Sequence, residues 1–164
     1  MNSATIVMAI IAIVLLVVAS VQQGGFHTKG LKGGTKIFLE ILPLMVLAFI
    51  VAGLMQELLP REFIVHWLGE ESGFKGIAIG WLAGALAPDG PFVSYPIARA
   101  LYSSGAGLST VVTYMAAWSL LELTRLPIEV SIMGPRFTAF RFAIIFFFPP
   151  LIGLATKAVL MMRP

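Results

Sequence analysis

Cysteine is absent from the 164-residue chain, and charged residues make up only 12% of it. Without cysteine, disulfides, thiolate metal sites and cysteine nucleophiles are excluded. A soluble domain has about 25% charged residues, so the low charge argues against a soluble fold. The formal net charge is +3 and the basic residues are scattered, whereas nucleic-acid-binding proteins carry a basic patch or stripe. We therefore expect no nucleic-acid partner.

Residue patterns that support catalysis are also missing. An intramembrane aspartyl protease needs two aspartates that share a proton, but Asp89 is the only aspartate in the sequence. The sequence has no Gly-x-Ser-x-Gly elbow of a serine hydrolase and no Gly-Lys-Ser/Thr of a phosphate-binding loop. The two histidines lack metal-ligand spacing. We expect neither enzyme activity nor a cofactor, and the sequence leaves a metal open.

Hydrophobic residues make up 59% of the chain and form long runs. A helix of about 20 residues crosses a hydrocarbon core of about 30 Å. The runs predict one all-α transmembrane domain over residues 1–164, with five apolar segments at 4–21, 37–59, 77–101, 108–126 and 142–162. A cleaved signal peptide is the alternative for the first run, but that run lacks a basic start and exceeds the usual length.

Two connecting segments differ in character. Residues 22–36 contain several glycines and three lysines, which predicts a polar loop. Residues 61–68 place Phe63, Ile64 and Trp67 at helical spacing. This pattern predicts a short amphipathic helix in the membrane interface, with Trp67 at the level of the lipid headgroups.

A helix-breaking quartet, Pro88-Asp89-Gly90-Pro91, lies near the middle of the segment 77–101. Proline cannot continue a regular helix, because it removes a donor and clashes with the preceding turn. Each arm is too short to cross a membrane at 1.5 Å per residue, so the segment is a broken helix or a re-entrant hairpin. A carboxylate at this depth is costly and usually marks a pathway for ions or substrate. Asp89 as a simple helix N-cap is the alternative.

Two hydroxyl side chains follow the quartet. Ser94 and Tyr95 lie within about one helical turn of Asp89. We expect them to line an ion or substrate site with this aspartate. The alternatives are local backbone bonding by Ser94 and interfacial anchoring by Tyr95.

A second charged group lies at the end of the fourth segment: Glu122, Arg125 and Glu129. Their spacing puts them on one helical face if the helix continues past Pro127. They form either a gate or proton relay that faces Asp89, or a structural ion pair at the membrane boundary.

Small residues recur before the quartet. Gly80 and Gly84 are four residues apart, a spacing that lets two membrane helices approach closely. The sequence therefore predicts a tight helix contact along this arm.

Residues 84–98, GALAPDGPFVSYPIA, resemble the core motif of the YraQ/ArsP-like predicted permeases. Segments 105–109 and 133–141 resemble other parts of the family, so the similarity covers roughly residues 37–145. The resemblance implies a multi-span permease in the lipid bilayer, which we expect to be the cytoplasmic (inner) membrane of a prokaryote. Family members often have Cys-x-Cys-Gly after the first proline of the motif. In this sequence Asp89–Phe92 occupies that region. Some family members export organoarsenicals, and thiols are the natural ligands of arsenic. Because the thiols are missing here, the resemblance does not imply organoarsenical export for this chain.

Typical family members are about twice this length and have two related halves, and the chain resembles one half. We therefore expect a homodimer, or pairing with a second half-permease, that encloses a site between its two repeats. The predicted function is transport of a small ion or solute through a site at the quartet. The alternative is a non-transporting membrane scaffold or accessory subunit of a larger complex.

Overall fold

The computed structural model describes residues 3–21, 25–87 and 90–162. Regular structure in these residues is entirely helical, which confirms the all-α prediction. The helices in chain order are α1 (Ser3–Val21), α2 (Phe26–Leu58), α3 (Arg61–Leu68), α4 (Phe74–Leu86), α5 (Pro91–Ser103), α6 (Leu108–Leu121), α7 (Leu126–Met133), α8 (Pro135–Ile145) and α9 (Phe148–Met161). Single 3₁₀ turns lie at Glu70–Ser72 and Leu123–Arg125.

The chain divides into two compact units, residues 1–43 and 44–164. In the first unit, every large apolar side chain of α1 from Ile6 to Val21 is exposed, by 40 to 79%. Soluble monomers rarely expose a continuous apolar surface of this extent. The surface of α1 therefore suits contact with lipid.

The predicted polar loop at residues 22–36 is wrong for its second part, because α2 already begins at Phe26. Residues 22–24 lie outside the described residues. Lysine is a good helix former, and Lys36 lies 3.8 Å from Glu40 as an i,i+4 pair. The lysine-rich stretch is therefore the polar first part of a long helix whose later part is apolar.

Two stretches of the described residues are long and apolar enough to cross a bilayer: Phe26–Leu58 and Pro135–Met161. The apolar helices Thr5–Val21 and Phe74–Leu86 are shorter. A membrane protein is supported on this basis. The count of five segments stays a prediction.

In the second unit, α6 packs against α4, α5, α8 and α9. On the side of α9, a Cβ at Gly153 would be 3.2 Å from Ile77 Cγ2 and still closer to the Thr113 hydroxyl. The Thr113 hydroxyl donates to the Ser109 carbonyl of its own helix at 2.7 Å. The absence of a side chain at Gly153, and a Thr113 hydroxyl that bonds to its own helix, therefore let α9 approach α6 closely.

The predicted helix at residues 61–68 is confirmed by α3 (Arg61–Leu68). Ile64 is buried, whereas Phe63 and Trp67 are half exposed. After α3, the Gly107 N–H donates to the Leu68 carbonyl at 2.7 Å, and the Glu70 carboxylate accepts from the N–H of Leu108. The end of α3 and the turn after it thus cap the N-terminus of α6, where backbone N–H groups lack partners within the helix.

Two helix ends differ from the predicted segments. The segment predicted at 108–126 ends as α6 at Leu121, because Glu122 adopts a left-handed conformation with φ 37°. The segment predicted at 142–162 begins earlier, at Pro135, and its chain turns between α8 and α9. Pro149 and Pro150 follow this turn, and neither has an N–H to donate to the preceding helix.

Candidate functional site

The helix break separates α4 from α5, and two of its residues, Pro88 and Asp89, lie outside the described residues. On one side, the Ala87 N–H donates to the Gly84 carbonyl at 3.2 Å and closes α4. On the other side, Gly90 has φ 106°, a backbone conformation that residues other than glycine rarely adopt. Pro91 then occupies the first position of α5, where its missing N–H has no intrahelical partner to lose.

The arm before the break lies parallel to α6 in direct backbone contact. A Cβ built on Gly76 would be 2.5 Å from the Thr110 hydroxyl. A Cβ on Gly84 would be 2.8 Å from Ala117 Cβ and would overlap the Tyr114 carbonyl oxygen. Later residues of α4 therefore meet later residues of α6. The tight contact predicted from the glycine spacing is confirmed.

The arm after the break runs in the opposite direction along α6. Tyr95, in the second turn of α5, packs edge-on against Trp118 with ring centroids 5.8 Å apart. Ala98, one turn later, packs in a buried cluster with Tyr114, which precedes Trp118 on α6. Ala87 belongs to the same cluster. The two arms thus fold back on one helix, and the break lies beside the second half of α6.

The predicted site residues Ser94 and Tyr95 have different surroundings. Ser94 is fully buried and lies beside the hydroxyl of Tyr114. Tyr95 is exposed on its other side while it contacts Trp118. The indole N–H of Trp118 is buried and forms no hydrogen bond within the described residues. Side chains from α5 and α6 therefore bring hydrogen-bonding groups together next to the break.

The predicted ladder of charges is divided in the structure. Arg125 lies 3.2 Å from Glu122, but the chain leaves the helical path at Glu122 and makes a 3₁₀ turn before α7. The three residues therefore do not share one continuous helical face. Glu122 is also the one residue other than glycine in the described ranges with positive φ. Such backbone strain often accompanies function.

Glu129 belongs to a different ion pair. Its two carboxylate oxygens accept hydrogen bonds from the guanidinium of Arg141 on α8. The exposed side-chain fractions are 17% for Glu129 and 32% for Arg141. Because a forked pair of this kind is strong and directional, it holds α7 against α8 across the turn at Gly134. Glu129 thus has its partner on α8, while Arg125 lies one helical turn before it at the N-cap of α7.

Sequence reasoning missed two partners. Arg141 pairs with Glu129 across a helical hairpin, and the Gly134-Pro135 turn between them is the signal that could have placed two helices side by side. Glu70 caps α6 from a turn 38 residues earlier, and no local pattern indicates it. The part of the chain that the structure describes contains no group of three His, Asp or Glu side chains that could hold a metal ion.

Comparison with known protein families identifies the family of the chain. The model of the family ArsP_1, described as predicted permease, matches residues 31–158. The matched range includes both arms, the break and the helix on which they pack. No curated protein and no solved structure matches the chain. Since the match extends over most of the sequence, the chain belongs to this family of predicted permeases. The family supports a membrane permease and does not specify the substrate.

Proposed function

We propose that the protein moves a small ion or solute across the cytoplasmic membrane of a prokaryote, as a homodimer, through a site at the break between α4 and α5. Asp89 binds the ion, proton or cationic group, and Ser94 and Tyr95 line the path. The observation that carries this proposal is the fold-back of the two arms on α6. Because both arms pack on α6, the fold-back supports a break that is surrounded by helices and not exposed in a surface loop.

The lengths of the two arms support a re-entrant hairpin. Each arm has 13 residues and therefore extends about 20 Å at 1.5 Å per residue. A hydrocarbon core of about 30 Å exceeds this length. Two antiparallel arms that enter from one side then place the break inside the membrane. Irregular backbone at that depth is tolerated where protein or a water-filled cavity surrounds it.

The neighbours of the break suit a binding site for a polar species. The N-terminal end of α5 lies at Pro91, next to the buried Ser94, and the Tyr114 hydroxyl faces Ser94 from α6. Broken helices in transporters use such helix ends and side-chain hydroxyls at the membrane midplane. A single carboxylate, Asp89, adds the negative charge that a proton or cation requires.

The strained turn after α6 is the proposed gate. Trp118, which contacts Tyr95 near the break, precedes Glu122 by about one helical turn. Glu122 and Arg125 therefore lie beyond Trp118 at one end of the same path. Glu129 follows Arg125 by one helical turn and is bound to Arg141 of α8, so we place it at the edge of this gate as an ion pair that joins α7 to α8.

The exposed face of α5, formed by Phe92, Tyr95 and Arg99, supports a dimer. Arg99 is exposed on this face, and with Phe92 and Tyr95 it lines an apolar groove of about 520 Å³ whose other wall is Met45 and Phe49 of α2. An arginine that faces lipid inside a membrane is costly. A second copy of the chain that covers this face would remove Arg99 from lipid and bring two breaks together.

Single-cysteine crosslinking tests the dimer without background, because the chain contains no cysteine. We expect Phe92→Cys to form a disulfide-linked dimer in membranes upon mild oxidation. Phe74→Cys, at an exposed position on α4, is the matched control and stays monomeric on the gel. A Phe92→Cys variant that stays monomeric, or a Phe74→Cys control that links equally well, would contradict an interface at α5.

Transport is tested in liposomes that contain the purified protein. Internal pH dye and ion-selective dyes report fluxes of protons, Na⁺ and methylammonium under imposed gradients. We expect flux of at least one probe above that of empty liposomes. Asp89→Asn should lower that flux about tenfold while the crosslinked dimer persists, whereas Glu62→Gln, a carboxylate change on the exposed side of α3, should leave it unchanged. Unchanged flux in Asp89→Asn contradicts the site, and loss of the dimer with no flux in any sample favours the scaffold.

A further inference from the structure

The first part of α2 presents three lysines on one helical face. Lys29, Lys32 and Lys36 are three and four residues apart, and residues at this spacing lie above one another on a helix. All three are exposed. Lys36 lies 3.8 Å from Glu40, whereas Lys29 and Lys32 form no ion pair with any residue that the structure describes. We call these three lysines the lysine face, and its net charge is positive.

The lysine face points away from α1. The start of α2 and α1 line one groove of about 380 Å³, to which α1 contributes Ala12 and Ala19 and α2 contributes Gly30 and Gly34. At 3.6 residues per turn, the two glycines lie about 100° or more around the helix from each lysine. The first helix therefore leaves the lysine face uncovered.

The lysine face lies where α2 becomes apolar. Residues 37–58 contain no lysine or arginine, and at 1.5 Å per residue they extend about 33 Å, enough for a hydrocarbon core of about 30 Å. Lys36 then stands at the membrane boundary, and Lys29 lies about 10 Å further along the helix. The potential of an anionic membrane surface extends about one Debye length, or about 8 Å at physiological salt. Because the long stem of a lysine can carry its ammonium group towards the membrane, all three charges lie within reach of this surface.

Apolar side chains accompany the lysines in a way that suits a lipid. An open groove of about 550 Å³ beside Lys32 and Lys36 is also lined by Leu31 and Leu39, both of them exposed. Ammonium groups bind the phosphate of a headgroup, and burial of leucine against an acyl chain is favourable. Glu40 lies at the same groove and is paired with Lys36, which leaves the charge of Lys32 for a phosphate. A soluble anion would use the charge alone and leave the leucines exposed.

We propose that the lysine face of α2 binds the phosphate groups of anionic phospholipids at the membrane surface, while Leu31 and Leu39 contact the acyl chains. Lysines beside a membrane helix favour the cytoplasmic side, and the cytoplasmic leaflet has a negative surface potential. This surface is therefore the cytoplasmic one, and lipid binding there fixes the depth of α2 in the bilayer. The proposal goes beyond the transport proposed above and does not depend on flux.

Native mass spectrometry of the purified full chain in a neutral detergent tests the proposal, because it counts the lipids bound to each protein molecule. Four probes are titrated. Phosphatidylglycerol has acyl chains and a net negative charge, and phosphatidylcholine has the same chains without net charge. Inorganic phosphate has charge without chains, and hexaglutamate is an acidic peptide. We expect phosphatidylglycerol to bind at least about tenfold more tightly than each of the other three probes.

Substitutions at two lysines test the face itself. Lys29→Gln with Lys32→Gln should weaken the binding of phosphatidylglycerol about fivefold per lysine, because each lysine near an anionic surface contributes about that factor. Lys29→Arg with Lys32→Arg keeps the charge and should bind as the wild type does. Lys75→Gln with Arg136→Gln, which removes the same charge at exposed positions of α4 and α8, is the matched control and should also bind as the wild type does. Without lipid, each variant should unfold at the wild-type temperature, since these side chains are exposed and form no ion pair within the described residues.

Any of the following results would overturn the proposal: no binding of phosphatidylglycerol, unchanged binding in Lys29→Gln with Lys32→Gln, or an equal loss of affinity in the matched control. Equal binding of phosphatidylcholine would also overturn it, because the charge would then have no effect. Equal binding of hexaglutamate would make the face a docking site for an acidic protein, and equal binding of phosphate would make it a site for a soluble anion. The flux assay gives an independent result, since lipid binding can persist in a protein that carries no flux.

Discussion

Replacing Gly84 with leucine is expected to leave no folded protein, and Gly84→Ala is expected to destabilise the fold by about 1–3 kcal/mol. A Cβ at this position would overlap the Tyr114 carbonyl oxygen and lie 2.8 Å from Ala117 Cβ. A backbone oxygen inside a helix cannot rotate away, so α4 and α6 must separate. Inserting even one methyl group into a well-packed contact costs about this amount. Thermal unfolding followed by tryptophan fluorescence measures the effect, because Trp81 packs beside this contact.

Gly53→Ala is the matched control. Gly53 is also helical, but no atom lies within 4 Å of the position that its Cβ would take. Alanine has the higher helix propensity by about 1 kcal/mol, so we expect this variant to unfold at the same temperature as the wild type or slightly higher. A Gly84→Ala variant that melts together with Gly53→Ala would show that α4 and α6 are not in backbone contact.

The parts of the fold that follow from local chemistry could be predicted from the sequence. Gly80 and Gly84 indicated a close contact because small residues permit it wherever the partner helix lies. The quartet indicated a break because proline and glycine act on their own backbone. The helix at 61–68 followed from the spacing of Phe63 and Trp67. None of these inferences required knowledge of a distant residue.

The parts that depend on distant residues could not be predicted. The spacing of Glu122, Arg125 and Glu129 suggested one face, but the left-handed turn at Glu122 redirects the chain. Glu129 then finds its partner on α8, which lies beside α7 only in the folded chain. The glycines of residues 25–34 suggested a loop, yet the lysines between them and an apolar continuation favour a helix from Phe26. Whether Asp89 faces the same path as Trp118 stays a prediction.

Replacing Arg141 with glutamine is expected to destabilise the protein by about 3 kcal/mol. The change leaves the carboxylate of Glu129, which is 17% exposed, without its guanidinium partner. Removing one member of a largely buried pair is strongly destabilising, because the remaining charge has lost both water and its counter-ion. The contact between α7 and α8 should loosen first. The unfolding temperature and protease sensitivity at the Gly134 turn measure the loss, and Arg136→Gln, an exposed arginine on the same helix, is the control that should change neither.

The double variant Glu129→Gln with Arg141→Gln separates a structural pair from a proton relay. Two neutral amides of similar shape can hydrogen-bond to each other, so most of the lost stability should return, since no unpaired charge remains. If the pair serves only to join α7 to α8, flux in liposomes should return together with stability. A double variant that is stable but carries no flux would instead place Glu129 on the proton path, because glutamine cannot exchange a proton at neutral pH. We expect stability and flux to return together, since Arg141 holds Glu129 in an ion pair that joins α7 to α8.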